Sequence, residues 1–225
     1  MLDFINSATA ECVLKDAIKE RFLGRIALVS SFGTESAIIL HMISEIDKSL
    51  PVFFLDTLKL FPETLAYRDT LITHLGLTNI RNIRPDAKQL AAHDPDGTLW
   101  QRDVDTCCAI RKTNPLDAAL EGMQAWITGR KRSQGGLRAD LRLVETGPDG
   151  RITVNPLAFW SDDQIQAYFE IHSLPRHPLQ AQGYASIGCA TCTKRTRDGE
   201  DKRSGRWAGL DKSECGIHLP RATAA

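Results

Sequence analysis

Ile26-Ala27-Leu28-Val29 is an unbroken apolar run that leads straight into Ser30-Ser31-Phe32-Gly33-Thr34-Glu35-Ser36. Beyond it, Ile38, Ile39, Met42, Ile43 and Ile46 recur at helical spacing. A buried strand, a turn of small residues and a helix, in that order, predict one unit of an α/β fold. The pattern then repeats. Val52-Phe53-Phe54-Leu55 reads as a second strand, followed by Asp56-Thr57 and a helix opening near Pro62. Ile80 to Ile83 reads as a third strand, Ala125-Trp126-Ile127-Thr128-Gly129 as a fourth and Ile152-Thr153-Val154 as a fifth. Asn114-Pro115 predicts a helix start, with Asn as cap and Pro in the first turn. Ser161-Asp162-Asp163-Gln164 fits a capping box for a helix ending near His172. Alternating strands and helices predict a doubly wound parallel sheet, in which ligands bind beyond the carboxyl ends of the strands. The positions to inspect are therefore Ser30 to Ser36, Asp56-Thr57 and Gly129 to Gln134.

The bulk composition narrows the class. The 225 residues carry 28 Lys plus Arg against 28 Asp plus Glu, with 42% hydrophobic and 25% charged residues. That is ordinary globular composition, and the zero net charge argues against a nucleic-acid binder. No run approaches the roughly 20 apolar residues of a membrane span. Met1-Leu2-Asp3-Phe4-Ile5-Asn6 lacks the basic start and apolar stretch of a signal peptide, so a cytoplasmic protein is expected. Residues 1–193 read as one α/β domain. From Lys194 to His218 there are seven Lys/Arg and five Asp/Glu but few apolar residues. The tail, 194–225, is therefore expected to be a mobile arm that buries little.

Six cysteines stand at 12, 107, 108, 189, 192 and 215. Clustered cysteines in a cytosolic chain favour metal binding or catalysis over disulfides. Cys12 falls in a helical pattern with Leu14, Ile18 and Phe22 and reads as core filling. Cys107-Cys108 and Cys189-Ala190-Thr191-Cys192 offer four thiolates, which suit zinc or a [4Fe–4S] cluster. Adjacent cysteines make an awkward knuckle for a tetrahedral ion, which favours iron–sulfur and leaves zinc as the alternative. Cys215 lies in Lys212-Ser213-Glu214-Cys215-Gly216-Ile217-His218, polar and exposed in character, and reads equally as a reactive thiol or an incidental one.

The turn at Ser30 to Ser36 suits an anion at a helix N-terminus. It is neither a Walker loop nor a G-x-G-x-x-G, so ordinary kinases and dehydrogenases lose support. Arg111-Lys112, beside the cysteine pair, reads as offsetting cluster charge or reaching a substrate anion. Gly129-Arg130-Lys131-Arg132-Ser133-Gln134 brings cations to a strand end, and Arg203 and Arg206 add two more. Taken together these residues describe a nucleotide-like anion approached by a thiol.

In this combination the chain resembles the assimilatory sulfonucleotide reductases, specifically the iron–sulfur adenylyl-sulfate reductases. The likeness runs from Leu28 to His218, through Ser31-Phe32-Gly33-x-Glu35-Ser36, Leu55-Asp56-Thr57, Leu60-Phe61-Pro62-Glu63-Thr64 and Cys107-Cys108-x-Ile110-Arg111-Lys112. It continues through Trp126-Ile127-Thr128-Gly129, His177-Pro178-Leu179, Gly183-Tyr184-x-Ser186-Ile187-Gly188-Cys189-x-x-Cys192-Thr193, Gly205-Arg206-Trp207 and Glu214-Cys215-Gly216-Ile217-His218. The resemblance implies an adenine-nucleotide α-hydrolase-like fold related to the PP-loop enzymes. It implies one [4Fe–4S] cluster on Cys107, Cys108, Cys189 and Cys192, with Cys215 as nucleophile. The matched family residues place Ser30, Gly33, Leu55, Thr57 and Gly129 around the nucleotide, Arg203 and Arg206 at the phosphosulfate, Lys112 between the cluster and the substrate site, and Arg132 on the phosphate side of the substrate.

The reaction so implied is reduction of adenylyl sulfate to sulfite and AMP. It runs through a Cys215 S-sulfonate that thioredoxin or glutaredoxin discharges. The cluster supports the site in this family and is not known as its electron donor. Many family members are homo-oligomers. Leu58 departs from the family's usual Gly, and Lys131-Arg132-Ser133-Gln134 from its commoner Arg-Arg-x-Gln. The alternatives are a 3′-phosphoadenylyl-sulfate or dual-specificity reductase, a PP-loop protein that thiolates tRNA, and a structural zinc module. The last leaves Cys215 and the arginines without purpose.

Overall fold

The computed structural model describes residues 10–197, 199–210 and 212–218, so Met1 to Asn6 lie outside it. Among the described residues, six strands form one sheet: β1 Ile26–Ser30, β2 Val52–Leu55, β3 Ile80–Ile83, β4 Ala125–Ile127, β5 Val144–Thr146 and β6 Ile152–Val154. Their spatial order is β3-β2-β1-β4-β6-β5. All neighbours are parallel except β5, which pairs antiparallel with β6 at the edge. β1 and β2 are buried at every residue, because helices cover both faces of the central strands. The chain winds outward to one side from β1 through β2 to β3, then returns to place β4 on the other side. The carboxyl ends of β1 and β4 therefore flank the switch point, where such sheets hold their ligands.

On one face, α1 (Ser36–Ile46) buries Ile38, Ile39, Met42 and Ile43. Beside it, α2 (Pro62–Leu75) buries a narrower stripe of Thr64, Tyr67, Leu71 and Leu75. Gly76, at φ 65°, closes α2 in the left-handed conformation that a side chain resists. Phe32 locks the β1–α1 turn from inside: it is fully buried and meets the Phe54 ring edge-on at 5.4 Å. Two short helices follow β3, α3 (Ala87–His93) and α4 (Leu99–Arg102).

The expected helix start at Asn114 is corrected. The chain is already helical from α5 (Val104–Cys108), through a π-helical turn Ala109–Thr113, into α6 (Asn114–Ala119). Pro115 lacks the N–H that an α-helix would use there, and the wider turn just before it absorbs the mismatch. That turn buries Ile110, Arg111 and Lys112 together.

Cys12 is exposed, which overturns its reading as core; Leu14 and Ile18 take the buried face instead. β5 was not foreseen, because its exposed Val144 and Thr146 show no apolar alternation. Its signal was the turn Gly147-Pro148-Asp149-Gly150, where the Gly147 N–H donates to Arg151 O at 2.8 Å and starts a hairpin. The capping box stands as expected at the head of α7 (Asp162–Ile171), with Ser161 and Gln164 bonding reciprocally. Among the described residues no helix is long and apolar enough to cross a membrane.

His177 pins the segment that follows α7. Its Nδ1 accepts from the Leu179 N–H at 3.2 Å and its Nε2 meets Thr64 Oγ1 at 3.0 Å. Burial pushes its pKa from 6.5 down to about 4, with Glu63 opposing weakly. The unfolded chain therefore binds a proton between those values that the fold refuses, so this residue's stabilisation is complete above pH 6.5 and fades as pH falls toward 4. The effect has a ceiling of roughly 3 kcal/mol. The melting temperature, followed from pH 7 to 4.5, is expected to fall less steeply in His177→Asn than in the wild type. Equal slopes would show that His177 titrates normally.

Candidate active site

The switch point opens into a cleft of about 200 Å³. Ser30, Gly33, Leu55, Thr57 and Gly129 line it from the strand ends, as the sequence suggested. Ser30 Oγ accepts the Phe32 N–H at 3.1 Å, which turns the chain sharply at the end of β1. Phe32 takes a positive φ of 49° to make that turn. Glu35, next along, spends its carboxylate on Lys131 at 2.9 Å.

Lys112, Arg203, Arg206 and Cys215 line the same cleft. Lys112 comes from the π-helical turn and is buried. Burial works against its charge, but the nearby sulfurs of Cys189 and Cys215 win and raise its pKa above the usual lysine value. Arg111, its neighbour, takes no part in the cleft. Its guanidinium reaches Asp94 at 2.5 Å and Thr57 O at 2.9 Å, so that charge is neutralised inside the fold. Burial pushes Arg203 down to about 10, helped by Arg138 and opposed by Glu214.

Arg132 is the exception among the expected residues. Its Nε donates to Leu141 O at 2.6 Å and its guanidinium lies over the Phe159 ring at 4.2 Å, so it does not line the cleft. Lys131 is fully enclosed between Glu35 and Asp162. Arg130 lines the cleft but is held by Glu145 at 2.9 Å. The uncommitted-looking basic run is thus mostly spent on packing, because its short loop turns successive side chains in different directions. Arg138, which sequence reading missed, lines the cleft instead. Only the fold brings it to Glu214, and no local pattern marked it.

The tail carrying Cys215 is packed along the cleft. The Lys194 N–H donates to Gly205 O at 2.8 Å and the Trp207 N–H to Cys192 O at 3.0 Å, while Thr193 and Arg206 form a β-bridge. Trp207 is only 3% exposed, burial that the polar composition of the segment did not suggest. Arg206 NH1 donates to Ile187 O at 3.2 Å, and its guanidinium stacks on Trp207 at 4.4 Å. His218 stacks on Trp126 with ring centroids 5.0 Å apart. Burial, then Arg130, Arg138 and Arg203, hold its pKa well below the usual histidine value, so the ring is neutral. Leu58 has φ 60° and a half-exposed side chain that does not line the cleft.

The remaining four cysteines gather beside the cleft. Residues 57–60, after β2, are the meeting point: Leu60 forms a β-bridge with Cys189, the Ala190 N–H donates to Lys59 O at 2.7 Å, and Thr57 Oγ1 lies 3.2 Å from Cys189 Sγ. Cys107 interacts electrostatically with Cys189 and Cys192, and Cys108 with Cys189. Burial raises Cys107 to about 11 and Cys108 to about 12. At Cys189 burial acts the same way, but Lys112 and the Thr57 hydroxyl outweigh it and lower the pKa. All six cysteines are free thiols. Among the described residues, no three of His, Cys, Asp or Glu are drawn together as one metal ion requires.

The sequence profile of the phosphoadenosine phosphosulfate reductase domain matches residues 25–195, the sheet and both cysteine pairs. The chain belongs to that family. It is 51% identical over 207 residues to the adenosine 5′-phosphosulfate reductase of Mesorhizobium japonicum, covering 92% of this chain and 81% of that one. It is 50% identical to the enzyme of the same name from Chelativorans sp., covering 94% and 86%. The crystal structure of phosphoadenylyl-sulfate reductase from Candida auris superposes with a TM-score of 0.70 at 27% identity, covering 85% of this chain and 95% of that one. FMN adenylyltransferase from Candida glabrata shares the fold alone, at 14% identity and a TM-score of 0.60, covering 94% and 79%.

Gly188 leaves room for Arg206: a Cβ there would overlap the guanidinium, the movable end of a long side chain. Gly188→Ala is therefore expected to fold normally and displace Arg206. Affinity for inorganic phosphate, measured by calorimetry, should fall about tenfold, the usual cost of losing one charged hydrogen-bond partner. Unchanged affinity would place Arg206 outside the anion site.

Proposed function

We propose that the protein reduces adenylyl sulfate to sulfite and AMP in assimilatory sulfate reduction, using Cys215 as nucleophile. The observation that carries this reading is the placement of one half-buried thiol in the same cleft as Lys112, Arg203, Arg206 and the loops ending β1, β2 and β4. The loops containing Ser30, Gly33, Leu55, Thr57 and Gly129 hold the nucleotide at the switch point. The cations take the phosphosulfate, so the sulfur faces Cys215. The Cys215 sulfur attacks the sulfate sulfur; an S–S bond forms, the S–O bond to phosphate breaks, and AMP leaves with the bonding electrons. The cations stabilise the charge that develops on the leaving phosphate oxygen.

The resulting Cys215 S-sulfonate needs an external dithiol. A thioredoxin or glutaredoxin thiolate attacks Cys215 Sγ, sulfite departs, and the second thiol of the partner resolves the mixed disulfide. The partner is oxidised by two electrons and the sulfate sulfur is reduced by two. For the partner to reach Cys215, the segment that carries it swings outward after the first step, and Gly209 and Gly216 are placed in its turns. The absence of disulfides among the six cysteines accords with a cytoplasmic setting.

The residues for a cofactor fit a [4Fe–4S] cluster on Cys107, Cys108, Cys189 and Cys192. Cys107, Cys108 and Cys189 are buried and Cys192 is half-buried, and the two segments that carry them lie against the same loop after β2 and interact electrostatically. Bound on these four cysteines, the cluster would cross-link the two segments and supply charge beside the cleft, next to Lys112. Visible absorption of anaerobically purified protein tests this directly. Broad visible absorption with about four irons per chain is expected, while a colourless protein holding one zinc would establish the other metal.

Intact-mass spectrometry after incubation with adenylyl sulfate, without reductant, tests the reaction. One sulfonate adduct on Cys215, discharged by thioredoxin and absent in Cys215→Ser, is expected. An adduct formed only from the 3′-phosphorylated substrate would make the protein a phosphoadenylyl-sulfate reductase, the activity in the name of the Candida auris relative. An adduct from neither would end the reading.

A further inference from the structure

A carboxylate stands where the cleft's chemistry argues against one. Glu214 immediately precedes Cys215, is 8% exposed, and lines a cleft whose other charged groups are cations apart from Glu35, which is paired with Lys131. Its negative charge opposes the binding of an anionic ligand, so it must contribute elsewhere. Its contacts show where. Arg138 grips it with a two-point fork, Nε to Oε1 at 2.5 Å and NH2 to Oε2 at 2.8 Å. Arg203 adds a third contact to Oε1 at 3.2 Å and also donates to Ser213 O at 2.7 Å.

The fork is anchored in the sheet domain. Arg138 closes a short 3-10 turn after β4 (Gly136–Arg138), and its other arm donates to Gln134 Oε1, the oxygen that also accepts the Lys131 N–H at 3.1 Å. On the far side of Cys215, Gly216 turns the chain at φ 93°, Ile217 packs on the apolar cluster around Leu116 and Trp126, and His218 stacks on Trp126. The thiol is thus suspended between an apolar attachment downstream and an ionic one upstream. The ionic attachment is the directional one, since bidentate Arg–carboxylate geometry fixes orientation as well as distance.

We propose that Glu214 is a positioning residue for the Cys215 thiol, holding it in attack geometry through Arg138 and Arg203. The proposal rests on the sulfonate reading above, and it deepens it. It carries a signature that a merely structural role lacks. Removing the charge should leave nucleotide binding equal or tighter, because an anion competing for Arg203 is gone, while the thiol loses its aim and the chemical step slows.

The test uses the full-length protein, purified anaerobically, as wild type and Glu214→Gln. AMP affinity is measured by calorimetry, and Cys215 sulfonation by single-turnover mass spectrometry with adenylyl sulfate. Sulfonation slower by about tenfold or more, with AMP binding equal or tighter, is expected. Sulfonation within twofold of wild type overturns the proposal, as does weaker AMP binding together with a lowered melting temperature. Should Glu214→Gln not fold, Arg138→Lys removes the fork from the other side with charge retained and is read the same way. A third readout separates this inference from the activity on which it rests. Alkylation of Cys215 by iodoacetamide, mapped by peptide mass, should change about tenfold in the variant even if the wild type accepts no sulfonate. In that case the activity fails and the positioning role stands; an unchanged alkylation rate removes the positioning role.

Discussion

The buried pair of Arg111 and Asp94 is the interaction on which the site depends. Asp94 is fully enclosed and Arg111 nearly so. Asp94 accepts Arg111 through one oxygen and the Leu99 N–H through the other, and Arg111 also donates to Thr57 O. Two charges out of water are tolerated only when satisfied this completely, and breaking such a pair typically costs about 3–5 kcal/mol. Arg111 sits in the π-helical turn between Cys107-Cys108 and α6, so the pair fixes the helix that bears those cysteines. Its contact to Thr57 ties that helix to the loop on which Cys189 also docks. One ion pair thereby sets the distance between the two cysteine segments and the direction in which Lys112 points.

The same economy of charge recurs through the cleft wall. Lys131 is neutralised by Glu35 and Asp162, Arg130 by Glu145, and Arg138 by Glu214. The first two of these pairings rigidify the loops after β1 and β4, and the third ties the tail to the loop after β4. Lys112 and Arg206 are left to face a ligand, with Arg203 shared between the ligand site and the tail. A cleft built this way combines a stiff frame with a few directed cations, the arrangement that electrostatic stabilisation of a leaving group requires.

Parts of this were legible from residues 26 to 36 onward. The order of strands, the anion-suited turn and the two cysteine pairs are local patterns, and a resemblance spread over most of the chain gave them chemistry. Arg132 shows the limit. A basic run at a strand end reads as an anion site, yet a short irregular loop has no period from which to infer where each side chain turns. Asn114-Pro115 shows another: the helix-start signal was sound locally, but a π-helical turn let the preceding helix pass through the proline. Cys12 shows a third, since residue type alone does not choose a helix face.

What the sequence by itself determined is whatever short-range physics controls: buried strands as apolar runs, turns as small and kinked residues, caps as reciprocal side chains, and the inventory of thiols and cations. What only the tertiary structure decided is which of those charges cancel. Arg138 and Glu214 lie far apart along the chain and meet only because the tail folds back across the carboxyl ends of the strands. Desolvation then makes that meeting decisive, for a charge in water needs no partner and a buried one does.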